Sequence, residues 1–179
     1  MPWTSYWAGV ERIAERLRNL NKGNIYRPDF LFGIANGGAA FADLLRRLAE
    51  YDCPLVSLWN DTLGEYFDNA INNSLCAGVA QHLEETGVPT PRLLVIDDNV
   101  ARGDTTQRAC RFLSNKFPHS SNIAIVPLFF RERNVKNTKQ LILWKQEFIQ
   151  NQLSNYEIKQ LHHVDDKWSL FPFEKDIRY

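Results

Sequence analysis

The sequence is poor in cysteine, with three in 179 residues: Cys53, Cys76 and Cys110, widely separated and without a C-x-x-C pair. That spacing excludes a disulfide framework and a paired-cysteine zinc site, and it predicts reduced, mostly buried thiols. Net charge is also missing. Lys+Arg and Asp+Glu are both 21, so no broad electrostatic grip on nucleic acid is expected. No apolar run approaches the roughly 18 residues of a membrane span. The opening MPWTSYWAGVERIAERL is amphipathic with interspersed charges, unlike a signal peptide. These absences together predict a cytoplasmic protein that engages neither membrane nor nucleic acid. A G-x-x-x-x-G-K-[ST] loop is absent, which counts heavily against a nucleotide hydrolase. A G-x-G-x-x-G fingerprint is absent too, so dinucleotide binding is unsupported. The histidines His82, His119, His162 and His163 have no metal-ligand spacing to an acid or cysteine. There is no internal repeat and no low-complexity tract.

What is present is a chain of single-domain length, 1–179, with 44% hydrophobic and 23% charged residues, the make-up of an ordinary globular domain. Helical and strand patterns alternate along it. Thr4 or Ser5 can cap a first helix to about Leu20, with Trp7, Val10, Ile13, Ala14, Leu17 and Leu20 on one face. A short apolar strand is expected over 29–34, then a glycine loop over 33–38 and a helix over 39–50. A second strand is expected over 53–59, an unpatterned loop or hairpin over 60–73, and a helix capped by Ser74 through 85. Thr86-Gly-Val-Pro-Thr-Pro91 is a firm break. A strand over 93–96, a helix over 105–116 and a strand over 122–130 follow, with Pro127 a local oddity in the last. Beyond it, 141–144 reads as a strand, 146–160 is ambiguous, and 167–171 reads as a closing strand stopped by Pro172. Alternating strands and helices predict an α/β fold, doubly wound about a mostly parallel sheet.

Residues 93–106, LLVIDDNVARGDTT, carry the most chemistry. Four apolar residues without alternation read as a strand buried on both faces. Asp97 and Asp98 then fall at the carboxyl edge of the sheet, where open α/β sheets bind ligands. Gly103, Thr105 and Thr106 offer a turn, N–H groups and hydroxyls at a helix N-terminus, which suits a phosphate. Carboxylates beside a phosphate cradle point to a phosphorylated sugar; the plain alternative is a surface acid pair with a threonine helix cap.

Two further segments can converge on the same edge. In Gly33-Ile-Ala-Asn-Gly-Gly38, successive glycines let backbone N–H groups approach a diphosphate, or simply make a tight strand-to-helix turn. In Asp165-Asp-Lys-Trp-Ser-Leu-Phe-Pro-Phe-Glu174, Trp168 can stack on a flat base, or anchor a C-terminal edge strand. Arg131 directly follows the strand over 122–130 and can reach the same edge, although a basic cluster there is usually a solvated turn.

With these segments together, the chain resembles the type I phosphoribosyltransferases. Asp97-Asp98 through Thr106 looks like their motif for phosphoribosyl pyrophosphate (PRPP), and YRPDFLFGIANGG looks like their pyrophosphate-loop segment. WSLFPFE is similar to the ending of small xanthine and hypoxanthine-type enzymes, which also begin with a Trp-bearing helix. The resemblance covers about residues 5–50, 92–131 and 165–174; residues 60–85 are unmatched, and 135–163 looks like an insertion or hood extension.

The resemblance implies the fold of that family with a small hood built from the chain's terminal parts. It also implies a homodimer with PRPP and a nucleobase as small-molecule substrates, and Mg²⁺ as cofactor. By position, Asp97 and Asp98 bind the ribose hydroxyls directly or through Mg²⁺, with Glu174 helping to hold a second Mg²⁺. Ala101, Arg102, Gly103, Asp104 and Thr105 cradle the 5′-phosphate with Thr106 adjacent, and Asn36 and Gly37 meet the pyrophosphate. Arg131, Trp168 and Ser169 take the base.

The motif is altered in places. Ala101 stands where 6-oxopurine enzymes carry an Asp, as it does in orotate and adenine enzymes, and Asn36 replaces a loop Arg or Lys. Arg102 replaces a Thr, and Asp104 sets an acid beside the phosphate. The expected function is transfer of a phosphoribosyl group to a purine or purine-like base. The alternatives are a non-catalytic PRPP or nucleotide sensor on the same fold, and a receiver-like or hydrolase domain unrelated to PRPP.

Overall fold

The apolar strands feed two separate cores, because successive side chains on a strand point to opposite faces. The computed structural model describes residues 3–23, 26–35, 37–60, 67–100, 104–120 and 122–130. In chain order these form α1 (Trp3–Lys22), β1 (Phe30–Ile34), α2 (Gly37–Leu48), β2 (Leu55–Leu58), α3 (Ala70–Glu85), β3 (Arg92–Val100), α4 (Asp104–Lys116) and β4 (Asn122–Phe130). The strands pair in parallel in the order β2-β1-β3-β4.

Leu31 of β1, Leu94 and Ile96 of β3, and Ala124, Val126 and Leu128 of β4 pack with α1 and α2. Phe30 and Phe32 of β1, Leu93 and Val95 of β3, and Ile125 of β4 pack with α3 and α4 on the other side. The sheet is therefore covered on both faces, as a doubly wound sheet with right-handed crossovers in both directions must be. Polar ties fix the start of the layers. Asp29 Oδ2 accepts the Arg92 N–H at 2.7 Å, joining the entry to β1 to the first residue of β3. The Arg18 guanidinium of α1 donates to the Leu48 carbonyl from Nε at 2.9 Å, satisfying a carbonyl at the C-terminus of α2.

Several boundaries differ from the sequence expectation, each for a local reason. α1 begins at Trp3, so Thr4 and Ser5 lie inside its first turn and do not cap it. Trp7 is 46% exposed and belongs to neither core, while Val10, Ala14, Leu17 and Leu20 are buried as expected. Gly37 and Gly38 are the first turn of α2, not a loop before it. α3 starts at Ala70, not after Ser74, because Asn69 caps it: its side chain accepts the Asn72 N–H at 2.9 Å.

β3 extends past Ile96 to Val100. Its register with β1 stops at Gly33–Ile96, but β4 continues to pair with it as far as Phe130. Pro127 sits opposite Asp97 on β4, an edge of the described sheet, where a missing N–H is tolerated. The strands expected over 141–144 and 167–171, the ambiguous 146–160 and the hood extension over 135–163 lie outside the described residues.

Candidate functional site

The order β2-β1-β3-β4 reverses direction between β1 and β3. From β1 the chain goes out to β2, then returns across β1 to begin β3 on the far side. Such a reversal leaves a crevice at the carboxyl ends of the two strands, because the connections leaving them diverge. The loops entering that crevice are the one from β1 into α2 and the one from β3 into α4. The sequence places its double glycine in the first and its acid pair in the second.

The two acids lie within β3, beyond its last register pair with β1, and their environments differ. Asp97 is buried, at 5% exposure, and its Oδ2 accepts the Thr106 hydroxyl at 2.7 Å. Thr106, itself buried, is in the first turn of α4, so the bond ties the end of β3 to the helix that follows the 101–103 connection. Burial pushes the Asp97 carboxyl above the usual carboxylate range. Hydrogen bonds from the Thr106 hydroxyl, the Asp98 side chain and the backbone N–H groups of Asn99 and Asp98 pull the other way.

Asp98 is half-buried and reaches the opposite helix layer. A Cβ added to Gly37 would lie 1.8 Å from Asp98 Oδ2. The carboxyl thus rests against the first turn of α2, where backbone N–H groups carry partial positive charge. Gly38 faces rigid backbone atoms instead: a Cβ there would come 2.8 Å from the Ile96 carbonyl oxygen and 3.1 Å from the Asp97 Cα. Only glycine lets α2 begin directly on the β3 backbone. The second glycine of the pair therefore works by closeness of packing, and the first by making room for a carboxylate.

Asp97, Asp98, Gly37, Thr105 and Thr106 accordingly gather at one crevice between the starts of α2 and α4. The α4 backbone begins at Asp104. The predicted site residues Asn36, Ala101, Arg102, Gly103, Arg131, Trp168, Ser169 and Glu174 lie outside the described residues, as does the Asp104 side chain. No group of three or more His, Cys, Asp or Glu able to hold a metal occurs among the described residues. A magnesium ion still fits the donor set. It takes one or two carboxylates together with substrate oxygens and water, and Asp97 and Asp98 supply two carboxyls at the carboxyl end of β3.

Two asparagines escaped the sequence analysis. Asn99 follows the acid pair on β3, and its Oδ1 is shielded from solvent without a hydrogen-bond partner. Its two-residue spacing from Asp97, which puts both on one face of the strand, was the available signal. Asn72, fully buried on α3, accepts the Trp59 N–H at 2.9 Å and donates to the carbonyls of Trp59 and Phe67, both at 2.8 Å. It pins the chain on either side of 61–66, at the carboxyl end of β2 beside the crevice. No sequence pattern marks that role, since it depends on a loop returning to its own base. At the opposite, amino edge of the sheet, a cavity of about 560 Å³ lies among Leu83, Val88, Phe117, Pro118 and His119, remote from these residues in the topology.

No protein-family model matches the sequence, and no curated protein matches it. Among solved structures, the chain is similar to the purine phosphoribosyltransferase from Pyrococcus horikoshii Ot3. The likeness covers 74% of this chain and 76% of that one at 18% identity, with a TM-score of 0.50. It is a likeness of fold: parallel strands in one sheet, covered on both faces, in the architecture of the type I phosphoribosyltransferases. No helix among the described residues is long and apolar enough to cross a membrane.

Proposed function

We propose that the chain transfers a phosphoribosyl group from PRPP to a purine or purine-like base, giving a nucleoside monophosphate and pyrophosphate. One observation carries this reading: at the crevice between β1 and β3, the acid pair of β3 meets the double-glycine start of α2 and, through Thr106, the start of α4. A phosphorylated sugar needs these three surfaces together. The carboxyls accept from ring hydroxyls, and the two helix N-termini receive a phosphate on either side of them.

In this reading Asp97 and Asp98 hold the ribose hydroxyls, Thr105 with Ala101, Arg102, Gly103 and Asp104 holds the 5′-phosphate beside Thr106, and Gly37 with Asn36 meets the pyrophosphate. Arg131, Trp168 and Ser169 take the base, and Glu174 joins the acids around the metal. A nitrogen of the base forms its bond to C1 of the ribose as the bond from C1 to the pyrophosphate oxygen breaks, through an oxocarbenium-like state, and the proton that the base gives up passes to solvent. Mg²⁺, when bound, screens the charge of the leaving pyrophosphate. The chain's own contribution is positioning and fixed dipoles. The α4 N-terminus anchors the 5′ end, the acid pair orients the ring, and the α2 N-terminus receives the charge that develops on departure. The reading further includes a single domain over 1–179, a homodimer and a cytoplasmic location.

Asn36 and Ala101 favour a second reading, a PRPP or nucleotide sensor without turnover. Asn36 removes a cation from the pyrophosphate loop, and Ala101 leaves no carboxylate to manage the proton of the base. Pyrophosphate release across a panel of nucleobases, with PRPP and Mg²⁺, separates the two. Release with a purine supports the enzyme; PRPP binding without release supports the sensor. Absence of both binding and release refutes the site itself.

A further inference from the structure

Strand β3 runs on past the end of its pairing with β1. That register stops at Ile96, while the pairing with β4 continues with Asn99 opposite Phe129 and Val100 opposite Phe130. Asp97, Asp98 and Asn99 therefore stand on the stretch of β3 that rises into the crevice. Side chains alternate along it. Leu93 and Val95 face α3 and α4, Asp97 meets Thr106 of α4, and Asn99 comes next on the same face. Its Oδ1 is shielded from solvent without a hydrogen-bond partner. Among the described residues Arg46 Nε, Asn60 Oδ1 and Asn73 Oδ1 share that state, and none of them is on β3. A shielded oxygen without a donor costs stability, and the loss is recovered when a ligand supplies the hydrogen.

We infer that Asn99 selects the base: its side-chain carbonyl accepts an N–H from the pyrimidine-ring edge of a purine, which must carry an amino group or a ring N–H there. This inference rests on the transferase site proposed above. Within that site the donor is found by elimination. Ionised phosphates only accept hydrogen bonds, and so does a pyrophosphate. The ribose hydroxyls are taken by Asp97 and Asp98. The base alone has a hydrogen left to give. Position agrees with this choice. Asn99 follows the two acids along β3, and β4 beside it ends one pair further on, at Phe130. The next residue is Arg131, which takes the base in the same reading. A guanidinium has donors and no acceptor, so Arg131 and Asn99 together suit an edge with an acceptor next to a donor. An aminopurine presents an amino group beside a ring nitrogen, and an oxopurine presents a ring N–H beside its oxygen. A neutral amide reads such an edge without setting a third negative charge beside Asp97 and Asp98.

The test is titration calorimetry of the full chain with adenosine 5′-monophosphate, inosine 5′-monophosphate, purine riboside 5′-monophosphate and ribose 5-phosphate. The first offers an amino group, the second a ring N–H, the third the same ring with neither, and the last no base. Nucleotide binding reads the site whether or not the chain turns over. Wild type is expected to bind adenosine or inosine monophosphate at least about tenfold more tightly than purine riboside monophosphate, and the preferred one identifies the donor. Asn99→Leu is close in size and cannot accept. It is expected to bring the preferred nucleotide down to the level of purine riboside monophosphate and to spare ribose 5-phosphate. It should also melt no lower than wild type, because it removes an unpaired acceptor. Equal wild-type affinity for the three nucleotides overturns the inference and leaves the proposed site standing. So does a preference that survives Asn99→Leu, or a variant that melts well below wild type and loses ribose 5-phosphate as well, which would make the amide a structural tie. A wild-type chain that binds neither the nucleotides nor ribose 5-phosphate overturns the site and the inference together.

Discussion

The Thr106 hydroxyl donates to Asp97 Oδ2 at 2.7 Å, with both residues almost completely withdrawn from solvent. The bond joins the last turn of strand before the crevice to the first turn of the helix after it. The end of β3 and the start of α4, on either side of residues 101–103, are thereby tied together. A carboxyl whose oxygen accepts this bond fixes the start of α4 against the end of β3.

Removing the hydroxyl leaves the carboxyl buried and short of a donor. Thr106→Val is therefore expected to lower stability by about 1–3 kcal/mol, read as a lower midpoint in urea. Asp97→Asn removes the cost of a buried charge and leaves an oxygen to accept from Thr106, so it should cost less than Thr106→Val. A Thr106→Val loss measured in an Asp97→Asn background should be smaller than in wild type. Equal losses in both backgrounds would mean that the two side chains are not coupled.

Gly37→Ala and Gly38→Ala should part company. The Gly38 methyl meets the Ile96 carbonyl and the Asp97 backbone, which cannot swing away, so α2 must shift from the sheet. A stability loss of about 1–3 kcal/mol is expected, as for other overpacked sites. The Gly37 methyl meets the Asp98 side chain, which can rotate. Gly37→Ala should therefore melt close to wild type while losing PRPP affinity, as seen by titration calorimetry with Mg²⁺. Identical behaviour of the two variants would contradict the geometry.

Asn72→Ala removes three hydrogen bonds from a buried position and leaves the Trp59 N–H and the Trp59 and Phe67 carbonyls to find other partners. A destabilisation of about 2–3 kcal/mol is expected. Hydrogen exchange should show faster opening at Trp59 and Phe67 before the rest of the sheet. Uniform acceleration across β1 and β3 would count against a local clamp.

Alkaline pH should unfold the protein early. Burial pushes the Cys53 thiol from 9.0 up to about 12 and the Cys76 thiol from 9.0 up to about 11. Burial likewise raises the Tyr26 and Tyr51 hydroxyls well above their usual value. In the unfolded chain these groups lose protons from about pH 9 upward, while in the folded chain they stay protonated. The folded state then binds more protons, so stability falls as pH rises. Thermal midpoints should be flat near neutrality and drop steadily above about pH 9. Cys53 and Cys76 should also resist thiol reagents in the native protein at pH 8, a condition under which unfolded thiols react. A midpoint independent of pH up to strongly alkaline solution would refute the assignment.

Much of the fold is legible in the residues because its signals are local. The unalternating run Leu93–Ile96 identifies a strand buried on both faces, and both cores draw on it. The strand over 122–130 and the end of α4 at Lys116 fall where the pattern puts them. Boundaries move where a partner distant in sequence decides them. β3 continues through both acids because β4 is there to pair with them, and α3 begins early because Asn69, rather than Ser74, finds the free N–H. The acid pair and the double glycine were legible as chemistry. Their contact was not, since residues 37–38 and 97–98 meet only through the reversal of strand order between β1 and β3.

The sequence by itself determined that this chain builds a parallel sheet wrapped by helices, and that acids, glycines and threonines stand at its strand-to-helix turns. Periodicity and turn chemistry act over a few residues, so they can be read directly. Tertiary structure alone decided that Asp97 is sealed beneath Thr106, that Asp98 rests on Gly37, and that Ile71 and Leu75 of α3 stay exposed. Burial, the displacement of a carboxyl's titration and the exposure of an apolar surface depend on which distant segments pack together, and that is settled only when the sheet closes.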